Sequence, residues 1–167
     1  AVAASLGNRQ SLSLEREMER LRTEGAQVRQ LTIALLDSES ALRAYALFGL
    51  VQDQLRFSRA AEQLESGEFR RIASLVDSSQ AETGSPPILG PITRIVATRK
   101  DILDRLQAGE RDTVIEEGRS GILQAQGDVV RLALERFVRL RAGQVEQVAR
   151  DMQQVQARIL VLVMMGA

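Results

Sequence analysis

Histidine and cysteine are both absent from this 167-residue chain, and each absence removes a class of chemistry. Without cysteine there is no disulfide and no thiolate nucleophile. Without histidine the commonest general base and the commonest metal ligand are missing. No Glu-x-x-His pair exists to build a di-iron bundle. Tryptophan is absent too, and one tyrosine with four phenylalanines gives no stacking platform for bases. Charge of one sign is also missing: 22 acidic and 22 basic residues cancel and interleave, with Lys100 the only lysine. No nucleic-acid partner, cofactor or metal is therefore expected. An apolar run of the ~20 residues that cross a bilayer is lacking as well. The longest, Ile159 to Ala167, is about half of that.

What remains is the composition of long packed helices: 44% hydrophobic, rich in leucine, alanine, valine, glutamine, glutamate and arginine, with three prolines. The apolar spacing predicts a first helix over 13–48. Its seam steps by four and three through Leu14, Met18, Leu21, Gly25, Val28, Thr32, Leu35, Glu39, Leu42 and Ala46. Gly49 stops it, and Asp53 is a candidate cap for the next helix. That second helix is expected to end by Glu82, with a weak point at Ser66-Gly67. Pro86-Pro87 marks a loop, because two prolines cannot continue a helix. A third helix is expected over 89–106, ended by Gly109. A short segment over 113–117 precedes a second break at Gly118 to Gly121, and a fourth helix starts near Ile122. The fourth seam uses Val130, Ala133, Phe137 and Leu140, then shifts to Val145, Val148, Met152, Val155, Ile159 and Leu162. Such a shift is a stutter, a local unwinding of supercoil, and Gly143 lies inside it.

Long helices joined by short turns predict an all-α fold, an antiparallel up-down four-helix bundle with long first and last helices. Glu39 and Arg43 stand at i and i+4, where an ion pair forms readily. Counted from the far tip, Glu39 and Arg43 on the first helix lie roughly 10–15 Å down at 1.5 Å per residue. Asp128 and Arg131 on the last helix lie at the same depth. Asp37, Glu39, Arg43, Asp128, Arg131 and Glu135 are thus the expected polar layer and the candidate ligand-binding residues. A layer that fixes helix register is one reading of them. A site where an anionic or amphoteric small ligand displaces an internal partner is the other, since arginine exchanges one carboxylate for another.

The stretch Asp37-Ser-Glu-Ser-Ala-Leu-Arg-Ala-Tyr-Ala-Leu-Phe-Gly49 carries a family resemblance. It resembles the signature of the third class of CHASE extracellular sensory domains, Asp-x-Glu-Thr-Gly-x-Arg-Gly-(Tyr/Phe)-Leu-Leu-Thr-Gly. Asp37, Glu39, Arg43, Tyr45, Leu47 and Gly49 fit it. Ser40 is a mild change, Ala41 and Ala44 replace the two inner glycines, and Phe48 replaces the last threonine. The downstream run Gly127-Asp128-Val129-Val130-Arg131, then Glu135 and Leu140-Arg141, follows the same family's rhythm.

The resemblance implies a sensor that passes a small displacement of its last helix into a membrane. Residues 1–12 are read as the end of one span with its juxtamembrane segment, 13–158 as the sensory bundle, and 159–167 as the start of a second span. An even number of antiparallel helices supports this reading, because both ends then face one membrane. The expected function is the extracytoplasmic sensor domain of a bacterial transmembrane receptor in the inner membrane, periplasmic or extracellular. The domain itself is not expected to be an enzyme; family members place histidine kinase or cyclase modules after the second span. A homodimer through the first and last helices, the membrane and a small-molecule ligand are the expected partners. The alternatives are a chemotaxis-receptor bundle and a structural scaffold without a ligand.

Overall fold

The computed structural model describes residues 2–118 and 121–165, with side chains from residue 9 onward except at 122, 123, 162, 163 and 165. The fold is all-α. Among the described residues the elements are α1 (Val2–Phe48), α2 (Val51–Glu65), α3 (Gly67–Ser78), α4 (Gln80–Thr83), α5 (Leu89–Gln107), α6 (Arg111–Gly118) and α7 (Ile122–Met165). No helix among those residues is long and apolar enough to cross a membrane. The second break expected at 118–121 lies in part outside the described residues, as do the side chain of Leu162 and the extreme ends of the two expected spans.

The breakers act where their chemistry requires. Gly49 ends α1 with φ of 68°, a left-handed geometry that costs any other residue, and its N–H donates to the Tyr45 carbonyl at 2.8 Å. A Cβ there would also meet the Arg111 guanidinium at 2.7 Å. The weak point at Ser66-Gly67 is a true break: the Ser66 hydroxyl accepts from Phe69 N and caps α3. One capping expectation fails. Leu50 is the N-cap of α2, without a side-chain bond, while Asp53 sits inside the first turn, buried and 3.7 Å from Arg56. A carboxylate in the first turn still meets the positive end of the helix. The cap of α5 comes from a distance instead. Both Asp77 oxygens, on α3, accept from the Ile88 and Leu89 N–H groups at 2.6 and 3.3 Å across the Pro86-Pro87 loop.

The chain divides into two compact units, and α1 and α7 each contribute to both. The larger unit is 27–137. There α5 packs on α2, α3 and α6, around Phe57, Leu64, Ile72, Val76, Ile92, Ile95 and Val96. The α1 segment of this unit buries Val28, Leu35 and Leu42 of the expected seam. It also buries a second row, Leu31, Ala34, Ser38 and Ala41, so it is covered from more than one side. The α7 segment buries Val130, Ala133, Leu134 and Phe137.

The smaller unit is 1–26 with 138–167. Its seam is a single row. Leu21 and Gly25 are buried, but Leu14, Met18, Val145, Val148, Met152, Val155 and Ile159 are only half-buried. Leu12, Leu160, Val161 and Met164 are exposed. One feature departs from the expected seam: Arg141, not Leu140, takes the buried position, and its guanidinium lies 2.7 Å from the Glu24 carboxylate. The inward positions are then Val130, Leu134, Phe137, Arg141, Val145 and Val148. The two consecutive four-residue steps at Phe137, Arg141 and Val145 are the stutter, and the helix is continuous through it.

Candidate functional site

Within the larger unit the polar centre is built on α1 by helical periodicity. Leu35, Ser38 and Glu39 fall on one face, and Arg43 lies one turn further along. Glu39 and Arg43 form the expected ion pair, Nη2 to Oε1 at 2.5 Å. The second partner of Glu39 is Arg99 on α5, which sequence reading did not select. Arg99 Nη2 donates to Glu39 Oε2 at 3.1 Å, and Nη1 donates to the Leu35 carbonyl at 2.9 Å and to the Ser38 hydroxyl. Its side chain is only 6% exposed. Burial pulls the Arg99 pKa below its ordinary value; Glu39 opposes that shift and the Arg43 charge adds to it. Arginine holds its proton through such shifts, so this is a buried cation with a carboxylate on one side and backbone and hydroxyl oxygens on the other.

Gly127 brings α7 to the same level. A Cβ built there would stand 3.8 Å from both Arg99 Nη2 and Glu39 Oε2. A shallow groove over this point is lined by Thr32, Leu36, Glu39, Arg99, Gly127, Asp128 and Arg131. The depth count thus placed the right stretches of α1 and α7 beside each other, but their charges do not make one joint layer of ion pairs. Arg131 pairs along its own helix, with Asp128 at 3.0 Å and Glu135 at 3.9 Å, all three about half exposed. Asp37 faces away toward Arg56 at 3.6 Å and is mostly exposed. Of the six candidates, Glu39 and Arg43 belong to the ion-paired centre. Asp128 and Arg131 line its edge, and Asp37 and Glu135 stand apart.

The signal that could have found Arg99 was present in α5. Ile92, Ile95, Val96, Arg99 and Leu103 fall at three- and four-residue steps, so Arg99 occupies an apolar-face position. A charge at such a position must be paired.

A wider cleft opens on the other side of Glu39. Glu39, Leu42, Arg43, Ala46 and Leu47 of α1, Arg99 and Ile102 of α5, Val114, Ile115 and Gly118 of α6, and Gln124 of α7 line a volume of about 330 Å³. That lies at the small end of the range for small-molecule sites. No cluster of three or more carboxylates suited to a metal ion occurs among the described residues. What the centre offers chemically is ion-pair exchange: two guanidiniums address one carboxylate beside an apolar hollow.

Compared with protein-family models, curated proteins and solved structures, the chain matches none.

Proposed function

We propose that this chain is the extracytoplasmic sensor domain of a bacterial transmembrane signalling receptor, of the histidine-kinase type, held in the inner membrane. In this reading α1, α2 to α4, α5 with α6, and α7 are the four legs of an antiparallel bundle. The single observation that carries it is the placing of the Glu39–Arg43–Arg99 centre against two long helices, each uninterrupted beyond that level. A change in the ion pairs at Glu39 acts directly on α1 and α5, and Gly127 sets α7 against the same atoms. An element that settles in two arrangements is what receptor switching needs. The stutter at Phe137–Arg141–Val145 supplies a local place for α7 to change its winding. The resemblance of the Asp37–Gly49 stretch to a sensory-domain signature points the same way.

The receptor would work as a homodimer through α1 and α7. Ile33 and Leu36 on α1 and Val129 and Leu132 on α7 are exposed large apolar residues suited to that contact. Membrane anchoring by spans at either end would raise the effective concentration of the pair.

Because these residues hold no cysteine, one introduced thiol reports topology cleanly. Arg59 is exposed on α2. In the protein expressed from its whole reading frame, freed of any other cysteine, Arg59→Cys should react with a membrane-impermeant maleimide in intact cells with a permeabilised outer membrane. Labelling only after the inner membrane is broken would sink the extracytoplasmic reading.

A further inference from the structure

We infer that the cleft between α1, α5 and α6 binds a small monocarboxylate with an apolar body, its carboxylate taken by Arg43 and its body by Leu42, Ala46, Ile102, Val114 and Ile115. The inference rests on the sensor reading and names the class of ligand. Charge comes first. Among the described residues, the groups with formal charge lining the cleft are Glu39, Arg43 and Arg99, two cations to one anion, so one further negative charge balances them. Arg99 is buried, with bonds to Leu35, Ser38 and Glu39, and it cannot turn toward a ligand without giving up those three charge-assisted bonds. Arg43 is different. Its side chain is 62% exposed, it bonds Glu39 through Nη2, and a guanidinium carries five N–H donors. It can therefore accept a second carboxylate without releasing the first, or exchange one for the other.

Shape and polarity fix the remainder of the ligand. Apart from Gln124, the side chains lining the cleft away from the charged centre are aliphatic among the described residues, and Leu47, 62% exposed, stands at the cleft as an apolar side chain without its own burial. A dicarboxylate or a sugar acid would bring several polar groups against walls whose one uncharged side-chain donor among the described residues is Gln124, at a desolvation cost. A cationic head would meet two guanidiniums. An alkyl or aryl monocarboxylate satisfies both parts. Its arrival gives Arg43 a second carboxylate and, where it exchanges for the first, leaves Glu39 to Arg99 alone.

Decanoate below its micellar concentration is the probe, titrated calorimetrically into the 167-residue chain, with decanol and decyltrimethylammonium as matched tails. Decanoate should bind saturably, at least about tenfold more tightly than decanol, which is the weight of one charge-assisted hydrogen bond. Decyltrimethylammonium should not bind. Arg43→Gln, at an exposed position, should bring decanoate to the level of decanol and leave decanol unchanged. Ala46→Phe should fill the cleft and weaken both. No saturable decanoate binding, equal affinity for the cationic tail, or full binding in Ala46→Phe would overturn the site. Those results with an extracytoplasmic label at Arg59→Cys would overturn the ligand class alone and leave the receptor reading standing.

Discussion

Residues 27–137 and the two-helix unit of 1–26 with 138–167 are made from the same kind of sequence, yet they bury it differently. In the larger unit α1 buries two adjacent rows, Val28–Leu35–Leu42 and Leu31–Ser38, and Phe57, Ile72, Leu134 and Phe137 are at most 2% exposed. In the smaller unit the same seam spacing leaves Leu14, Met18, Val148 and Met152 half-buried. A helix with several neighbours covers a broad arc; a helix with one neighbour covers a narrow stripe. Heptad-like spacing is therefore equally good evidence of a face in both units and no evidence of how many helices meet it. The charges follow the same division. The larger unit buries Arg99 among three acceptors, whereas the smaller unit's buried pair, Glu24–Arg141, joins one helix segment directly to the other.

The largest effects should separate the two units most clearly. Phe57→Ala empties a fully packed position and should cost about 3–5 kcal/mol, read as a shift of the urea midpoint by circular dichroism. Met152→Ala, at a half-buried position, should cost less than about 1 kcal/mol under the same assay, since its transfer term is only partly collected. Equal costs would mean that the smaller unit is covered in solution, by a second copy or by something else.

Arg99 comes next. Arg99→Leu should cost about 2–3 kcal/mol, because the Ser38 hydroxyl, the Leu35 carbonyl and one Glu39 oxygen lose a charged donor. A double-mutant cycle should give a coupling above about 0.5 kcal/mol between Glu39→Gln and Arg99→Leu. Additivity is expected between Glu39→Gln and Arg131→Gln, which share no ion-pair partner: Glu39 pairs with Arg43 and Arg99, Arg131 with Asp128 and Glu135. A larger coupling to Arg131 than to Arg99 would reverse the assignment of the polar centre.

The smallest change lies just past the unit boundary. Gly143 is helical with open space where a Cβ would go, so Gly143→Ala introduces no clash. It should raise stability by about 0.5–1 kcal/mol through helix propensity alone. If the protein is the receptor proposed above, Gly143→Ala should also shift its basal output, because a stiffer segment would change the balance between two windings of α7. A stabilised protein with unaltered basal and stimulated output would remove this segment as the point of transmission.

Reading the chain by periodicity located every long helix, because the signals for helices and their ends are local. Gly49, Gly84 and Gly109 have positive φ where the seams stop, and Pro86-Pro87 falls between α4 and α5. The Glu39–Arg43 pair was legible for the same reason: four residues on one helix leave little freedom. Three features were not legible, and each is a meeting of distant segments. Asp77 caps α5 from α3, Arg99 reaches Glu39 from 60 residues away, and Arg141 displaces Leu140 from the seam to face Glu24. A pattern of spacing says that a helix has an inner face and roughly which residues lie on it. Which side chain from elsewhere arrives at that face, and from how many directions it is covered, is decided only when the helices pack. Burial then makes an unpaired charge costly and selects the partner.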